Sequence, residues 1–114
     1  MVARTILVII LARLHKAPPP CSKGYLPAVS VIIPAYNEQK VIAKTIQSLL
    51  ASEYEGPVEV VVIDDGSTDQ TVEAVESLND SRLRVVRQPN LGKAYALQRG
   101  VDETKNEILI FADA

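Results

Sequence analysis

Tryptophan is missing from this chain, and cysteine and histidine occur once each. A tryptophan-lined sugar groove therefore has nothing to be built from, and imidazole chemistry has His15 alone. The single Cys21 permits no internal disulfide, which fits a reducing compartment. A net charge of −2, with no basic stripe interleaved with aromatics, leaves no footprint for nucleic acid. The glycine spacings of two familiar nucleotide loops are also absent. There is no GxGxxG, so a dinucleotide cofactor has no support. GxxxxGK[ST] fails because Arg87 stands five residues before Gly92 and Ala94 follows Lys93. No internal repeat interrupts the chain. What remains is an ordinary α/β composition, 47% hydrophobic and 23% charged, in a length that allows one domain with a modest core.

The longest apolar run is short too. "TILVIILARL" (residues 5–14) has Arg4 before it and Arg13, His15 and Lys16 at and beyond its end. A spanning helix needs roughly 20 apolar residues, so this stretch does not cross a bilayer unaided. It has the length of a signal-peptide core, but no small-residue cleavage site clearly comes after it. It reads as the last turns of a membrane helix, an interfacial anchor, or a buried or frayed terminal helix. If it anchors, the cationic flank places the downstream chain in the cytoplasm. "KAPPPCSKGYLP" (16–27) is an extended spacer, and the domain boundary falls near Ala28. Residues 1–28 are thus head and linker, and 29–114 are the patterned domain.

From Val29 the pattern alternates. "VSVII", "VEVVVI" (58–63), "LRVVR" (83–87) and "EILIF" (107–111) are β-rich runs, the third nearest an edge because of its two arginines. Between them lie helical stripes. The first is Val41, Ile42, Thr45, Ile46, Leu49 and Leu50. The second, Val72, Val75 and Leu78, opens on a capping box at Ser67 and Gln70. The third, Ala94, Leu97 and Val101, spans about Lys93 to Glu103. The order β-α-β-α-β-α-β predicts a Rossmann-like parallel sheet with right-handed crossovers. Ligands of such sheets sit beyond the carboxyl ends of the strands, where strand order reverses. Those ends carry "PAYNE", "DDGSTD", "NLGKA" and "ADA", so the polar chemistry gathers along one edge.

Each motif has a structural reading beside a functional one. Pro34 cannot extend a ladder and turns the backbone out. Tyr36 offers a ring face and a hydroxyl, Asn37 can cap the coming helix, and Glu38 sits in its first turn near the positive dipole end. Asp64 and Asp65 either make an Asx-turn into the Ser67 cap or present one carboxylate to donors of a base or ribose. Gly92 and Lys93 open a helix whose free amides could receive a phosphate, and Lys93 is otherwise a solvated helix-start lysine. Asp113 alone holds a divalent ion poorly and needs a further oxygen donor.

Taken together, "VSVIIPAYNE", "VVVIDDGSTD", "NLGKAYALQRG" and "ILIFADA", in that order and spacing, resemble the first half of a family 2 glycosyltransferase of the GT-A fold. The resemblance covers about residues 29–114. It implies transfer of a sugar, hexosyl or N-acetylhexosaminyl, from a nucleotide-diphosphate donor, most often a UDP-sugar, to a saccharide or lipid acceptor. It also assigns roles. Pro34, Tyr36 and Glu38 match positions lining the nucleoside pocket, and Asp65 matches the acid that bonds the base, with Asp64 as support. Gly92 and Lys93 match the segment beside the phosphates. Asp113 matches the first acid of the Asp-x-Asp motif, which holds Mg²⁺ or Mn²⁺. No residue here matches the family's catalytic base, and the motif's second acid is missing. The expectation is a donor-binding half that is inactive alone, and acceptor-dependent UDP release by the purified chain would overturn it. Membrane-bound polysaccharide synthases of the family carry a membrane helix and a basic, proline-rich stretch just before this domain. That implies membrane association through residues 5–14 with the domain facing the cytoplasm. The competing readings are a non-catalytic nucleotide-binding or interaction module, and a phosphoacceptor receiver domain. The latter needs its acidic pair at the first strand's end, where Pro34 stands.

Overall fold

The β-rich and helical runs become alternating elements in a computed structural model, which describes residues 9–12, 26–52 and 54–113. In chain order they are β1 (Ile9–Ala12), β2 (Val29–Ala35), α1 (Ile42–Leu50), β3 (Val58–Asp65), α2 (Thr71–Glu76), β4 (Leu83–Gln88), α3 (Lys93–Asp102) and β5 (Ile108–Phe111). The strands form one sheet in the order β1-β5-β2-β3-β4. Four of them, β5, β2, β3 and β4, are parallel neighbours, with Val29 opposite Val58 on one side and Ile108 on the other. The chain therefore proceeds outward from β2 through β3 to β4, then returns to the other flank of β2. Strand order reverses between β2 and β5, and a crevice opens at their carboxyl ends.

Both faces of the sheet are covered, which is why its strands read as continuous apolar runs. Val29, Val31, Ile33 and Ala35 of β2, with Val60 and Val62 of β3, pack against Ile42 and Ile46 of α1 and Val75 of α2. The alternate residues Ile32, Val61, Ile63 and Leu109 pack beneath Ala96 of α3. Ile32, Ile33, Ile42, Ile46 and Ile63 are fully buried. Each such side chain contributes about 1.5–3 kcal/mol relative to exposure.

Four expectations change. Ile9–Ala12 is a strand, antiparallel to β5 with Ile9 opposite Phe111, where a helix was expected. Its β-branched isoleucines suit a strand, and β5 would otherwise present an unpaired edge. The rest of the 5–14 segment, the spacer through residue 25 and Cys21 lie outside the described residues. No described helix is long and apolar enough to cross a membrane. Second, α1 starts at Ile42 after the uncapped Val41, so Glu38 precedes the helix and Asn37 does not cap it. Third, α2 starts at Thr71, not at Ser67. Gln70 stands at its N-cap without a side-chain cap bond, and Asp69 Oδ1, one residue earlier, accepts from Thr71 N at 3.0 Å. Last, α3 turns Ala96 and Gly100 inward, and Ala94 is exposed. At Gly100 the absence of a side chain leaves the space that the Ile32 side chain of β2 fills.

Candidate functional site

Charges at the two ends of the sheet are treated differently. At the amino ends of the strands they satisfy one another. Arg84 bonds Glu103 Oε1 at 2.9 Å and Glu59 Oε2 at 3.3 Å, while Ser30 Oγ donates to Glu59 and accepts from Asn106. At the carboxyl ends a cleft of about 510 Å³ lies open, within the usual range for small-molecule sites. Six of the seven residues singled out from sequence line it: Pro34, Tyr36, Glu38, Asp65, Lys93 and Asp113. Gly92 does not line it but bonds a residue that does. Ala35, Asn90 and Ala96 also line the cleft and were missed. The Asn-x-Gly turn before the third helix was the available signal for Asn90. Ala96 carried none, since a small apolar residue reads as packing.

The first wall is set by two β–α connections that bond to each other as well as to the starts of their own helices. Asn37 adopts φ +52°. Its Oδ1 accepts from Thr68 N at 2.8 Å and Asp69 N at 3.3 Å, and its own N–H donates to Ser67 Oγ at 2.9 Å. Glu38 N donates to Thr71 Oγ1 at 2.8 Å, and Gln70 N donates to Gln39 Oε1 at 2.8 Å. This ladder fixes the path from Pro34 to Glu38 beside the cleft. Replacing Asn37 with alanine removes the acceptor and puts at φ +52° a residue that tolerates the left-handed region less well than asparagine, with an expected cost of about 2 kcal/mol. Urea unfolding tests this, with Asn37→Gly as control: glycine loses the bonds but not the conformation and should cost less.

Alternation along β3 separates the two adjacent acids. Asp64 turns to the α1–α2 face, where its Oδ2 accepts from Ser67 N at 3.2 Å. Its Oδ1 is the buried side-chain oxygen left without a partner among the described residues. Asp65 turns to the cleft. Its Oδ1 accepts from Gln88 Nε2 at 2.9 Å and Leu91 N at 2.8 Å, and its Oδ2 from Gly92 N at 3.0 Å. Asn90 Nδ2 donates to its carbonyl oxygen at 3.1 Å. Gly66 makes room for this turn: at φ +77°, a β-carbon there would lie 2.8 Å from Asn90 N.

Burial pushes the Asp65 carboxyl upward, but the bonds from Gln88, Leu91 and Gly92 outweigh it and hold the group below its ordinary value. A depressed folded pKa means that this stabilisation is complete above the unfolded value of about 3.9 and disappears as pH falls through the folded one. The Leu91 and Gly92 amide proton shifts should therefore titrate together, with a midpoint below about 4. A midpoint at or above the ordinary carboxyl value would contradict the anchoring role.

Across the cleft mouth Lys93 Nζ pairs with Asp113 Oδ1 at 2.8 Å, the side chains 60% and 43% exposed. Lys93 is the first residue of α3, whose N-cap Gly92 supplies no side-chain bond to the first-turn amides. Among the described residues no three His, Cys, Asp or Glu side chains gather as a metal cluster. Mg²⁺ is commonly held by one or two carboxylates plus ligand phosphates, so Asp113 fits as one ligand of a shared set.

The sequence profile of glycosyl transferase family 2 matches residues 30–114. The chain belongs to glycosyl transferase family 2. This family 2 chain is 40% identical over 91 residues to the 4,4'-diaponeurosporenoate glycosyltransferase of Staphylococcus haemolyticus, covering 76% of the chain and 24% of that relative. Its fold is similar to a mannosyltransferase from Pyrobaculum calidifontis solved with GDP-Man and Mn²⁺. The TM-score there is 0.67 at 36% identity, over 75% of this chain and 27% of that one. It is also similar to glucosyl-3-phosphoglycerate synthase of Mycobacterium tuberculosis, solved with Mn²⁺, UDP and phosphoglyceric acid. That match has a TM-score of 0.62 at 33% identity, over 76% and 32% of the two chains. The family 2 chain spans less than a third of the length of each of these relatives.

Proposed function

We propose that this chain is the nucleotide-sugar-binding part of a glycosyltransferase that moves a sugar from a nucleoside-diphosphate donor, in the first place a UDP-sugar, to a saccharide or lipid acceptor. The observation that carries this reading is the Lys93–Asp113 pair at the cleft mouth. It puts a cation for phosphate and a carboxylate for a metal beside the slot formed by Pro34, Tyr36, Glu38 and Asp65. Tyr36 offers its ring to the nucleoside, and Asp65 accepts a hydrogen bond from a base donor. Lys93 and the first-turn amides of α3 neutralise the diphosphate. Asp113 would hold Mg²⁺ or Mn²⁺, which when bound supplies charge stabilisation for the departing nucleoside diphosphate.

Calorimetry with UDP, GDP and ADP, each with and without Mn²⁺, tests this. The expected result is metal-strengthened binding of UDP with a dissociation constant of roughly 1 µM to 1 mM, a typical substrate range. Tighter binding of GDP would move the donor class from UDP to GDP. Absence of binding by all three would overturn the reading. Membrane association with the domain facing the cytoplasm belongs to the same proposal by family resemblance. Failure of the chain to co-sediment with anionic vesicles would remove it.

A further inference from the structure

The turn between β4 and α3 hangs on one side chain. Of the hydrogen bonds that tie residues 88–92 back to the sheet, those from Gln88 Nε2, Leu91 N and Gly92 N end on the Asp65 carboxylate, and the one from Asn90 Nδ2 ends on the Asp65 carbonyl. A carboxylate offers about four lone-pair positions, so three are occupied and one, on Oδ2, is left for a ligand. The very next residue after this anchored turn is Lys93. Gly92, at φ +105°, makes the bend between them. The position of the Lys93 ammonium therefore depends on where Asp65 holds the Gly92 amide.

We propose that Asp65 is a positioning residue for the diphosphate end of the cleft, as well as a contact for the base. It fixes the Gly92–Lys93 bend, so that a single carboxylate sets the distance between the base edge and the phosphate cation. This rests on the nucleotide reading of the cleft and makes a claim that reading does not. A residue that only touched the base would affect nucleoside and nucleoside diphosphate equally. A residue that also places Lys93 affects the diphosphate more.

The measurement is the affinity ratio of UDP to uridine, by NMR titration, in the wild type, Asp65→Asn and Gln88→Leu. Asparagine turns an N–H₂ toward at least one of the three donors, so Asp65→Asn should weaken both ligands and lower the ratio about tenfold, the scale of a lost charge-assisted hydrogen bond. Gln88 does not line the cleft and is buried, so Gln88→Leu loosens the carboxylate without touching the ligand. It should lower the ratio, with UDP losing more affinity than uridine, and this variant carries the test if Asp65→Asn does not fold. An unchanged ratio in the folded variants overturns the proposal. If the wild type binds neither ligand, the nucleotide reading falls. Anchoring is then decided by exchange protection of the Leu91 and Gly92 amides: reduced protection in the folded variants supports it, and unchanged protection overturns it.

Discussion

Gly100→Val is expected to destabilise the domain by about 3 kcal/mol or more, with Gly100→Ala costing less. A β-carbon placed on Gly100 would sit 2.3 Å from Cγ2 of Ile32 and 3.2 Å from its Cγ1. Ile32 is fully buried, and its branch at Cβ leaves little freedom to turn away. Alanine in place of glycine gains about 1 kcal/mol in a helix interior, so overpacking of about 1–3 kcal/mol decides the sign for alanine. Valine brings three carbons into the same space, so the clash dominates clearly. Urea denaturation gives the values. A double-mutant cycle with Ile32→Ala identifies the cause, because removing the branch should relieve much of the Gly100→Ala penalty. Additive effects would place the strain elsewhere.

Lys93→Ala is expected to lower affinity for UDP with Mn²⁺ by roughly ten- to a hundredfold, while the unfolding midpoint hardly moves. The contrast comes from exposure. The ion pair with Asp113 stands in water on both sides, where such pairs contribute little to stability. A diphosphate in the cleft would bring several negative oxygens to the same ammonium, and losing that charge would leave the metal and the first-turn amides to offset them. Calorimetry and thermal melting on the same preparation separate the two effects. A large fall in melting temperature would make Lys93 a structural residue. An unchanged affinity would remove it from the site.

Much of this arrangement was legible in the sequence because the signals were local. The β-branched runs became β2 to β5, and the two arginines of "LRVVR" did mark an edge strand. Polar residues at strand ends gathered at one cleft because a parallel sheet brings all its carboxyl ends together. What sequence reading missed was decided by neighbours. Ser67 and Gln70 have the spacing of a capping box, but Ser67 accepts from Asn37 of the adjacent connection, so the helix begins later. Asn37 was assigned to its own helix for the same reason. The inward face of α3 was read as Ala94, Leu97 and Val101. Val101 does pack against that core, but the buried residues are Ala96 and Gly100, and Gly100 leaves the space that the Ile32 side chain fills. Asp65 was read as a ligand contact. That three of its lone pairs hold the next turn depends on Gln88, Leu91 and Gly92, more than twenty residues away.

The place of β5 also bears on when the cleft comes into existence. β2, β3 and β4 pair in the order in which the chain presents them, each through a short crossover. β5 must return past both to reach β2, setting Ile108 beside Val29. Contacts that close the longest stretches of chain are the slowest to form. Asp113, just beyond β5, reaches Lys93 only after that step. A chain halted with three strands assembled would have most of its core but a cleft without Asp113. Nucleotide added during refolding should therefore leave the early phase unchanged and pull only on the last one.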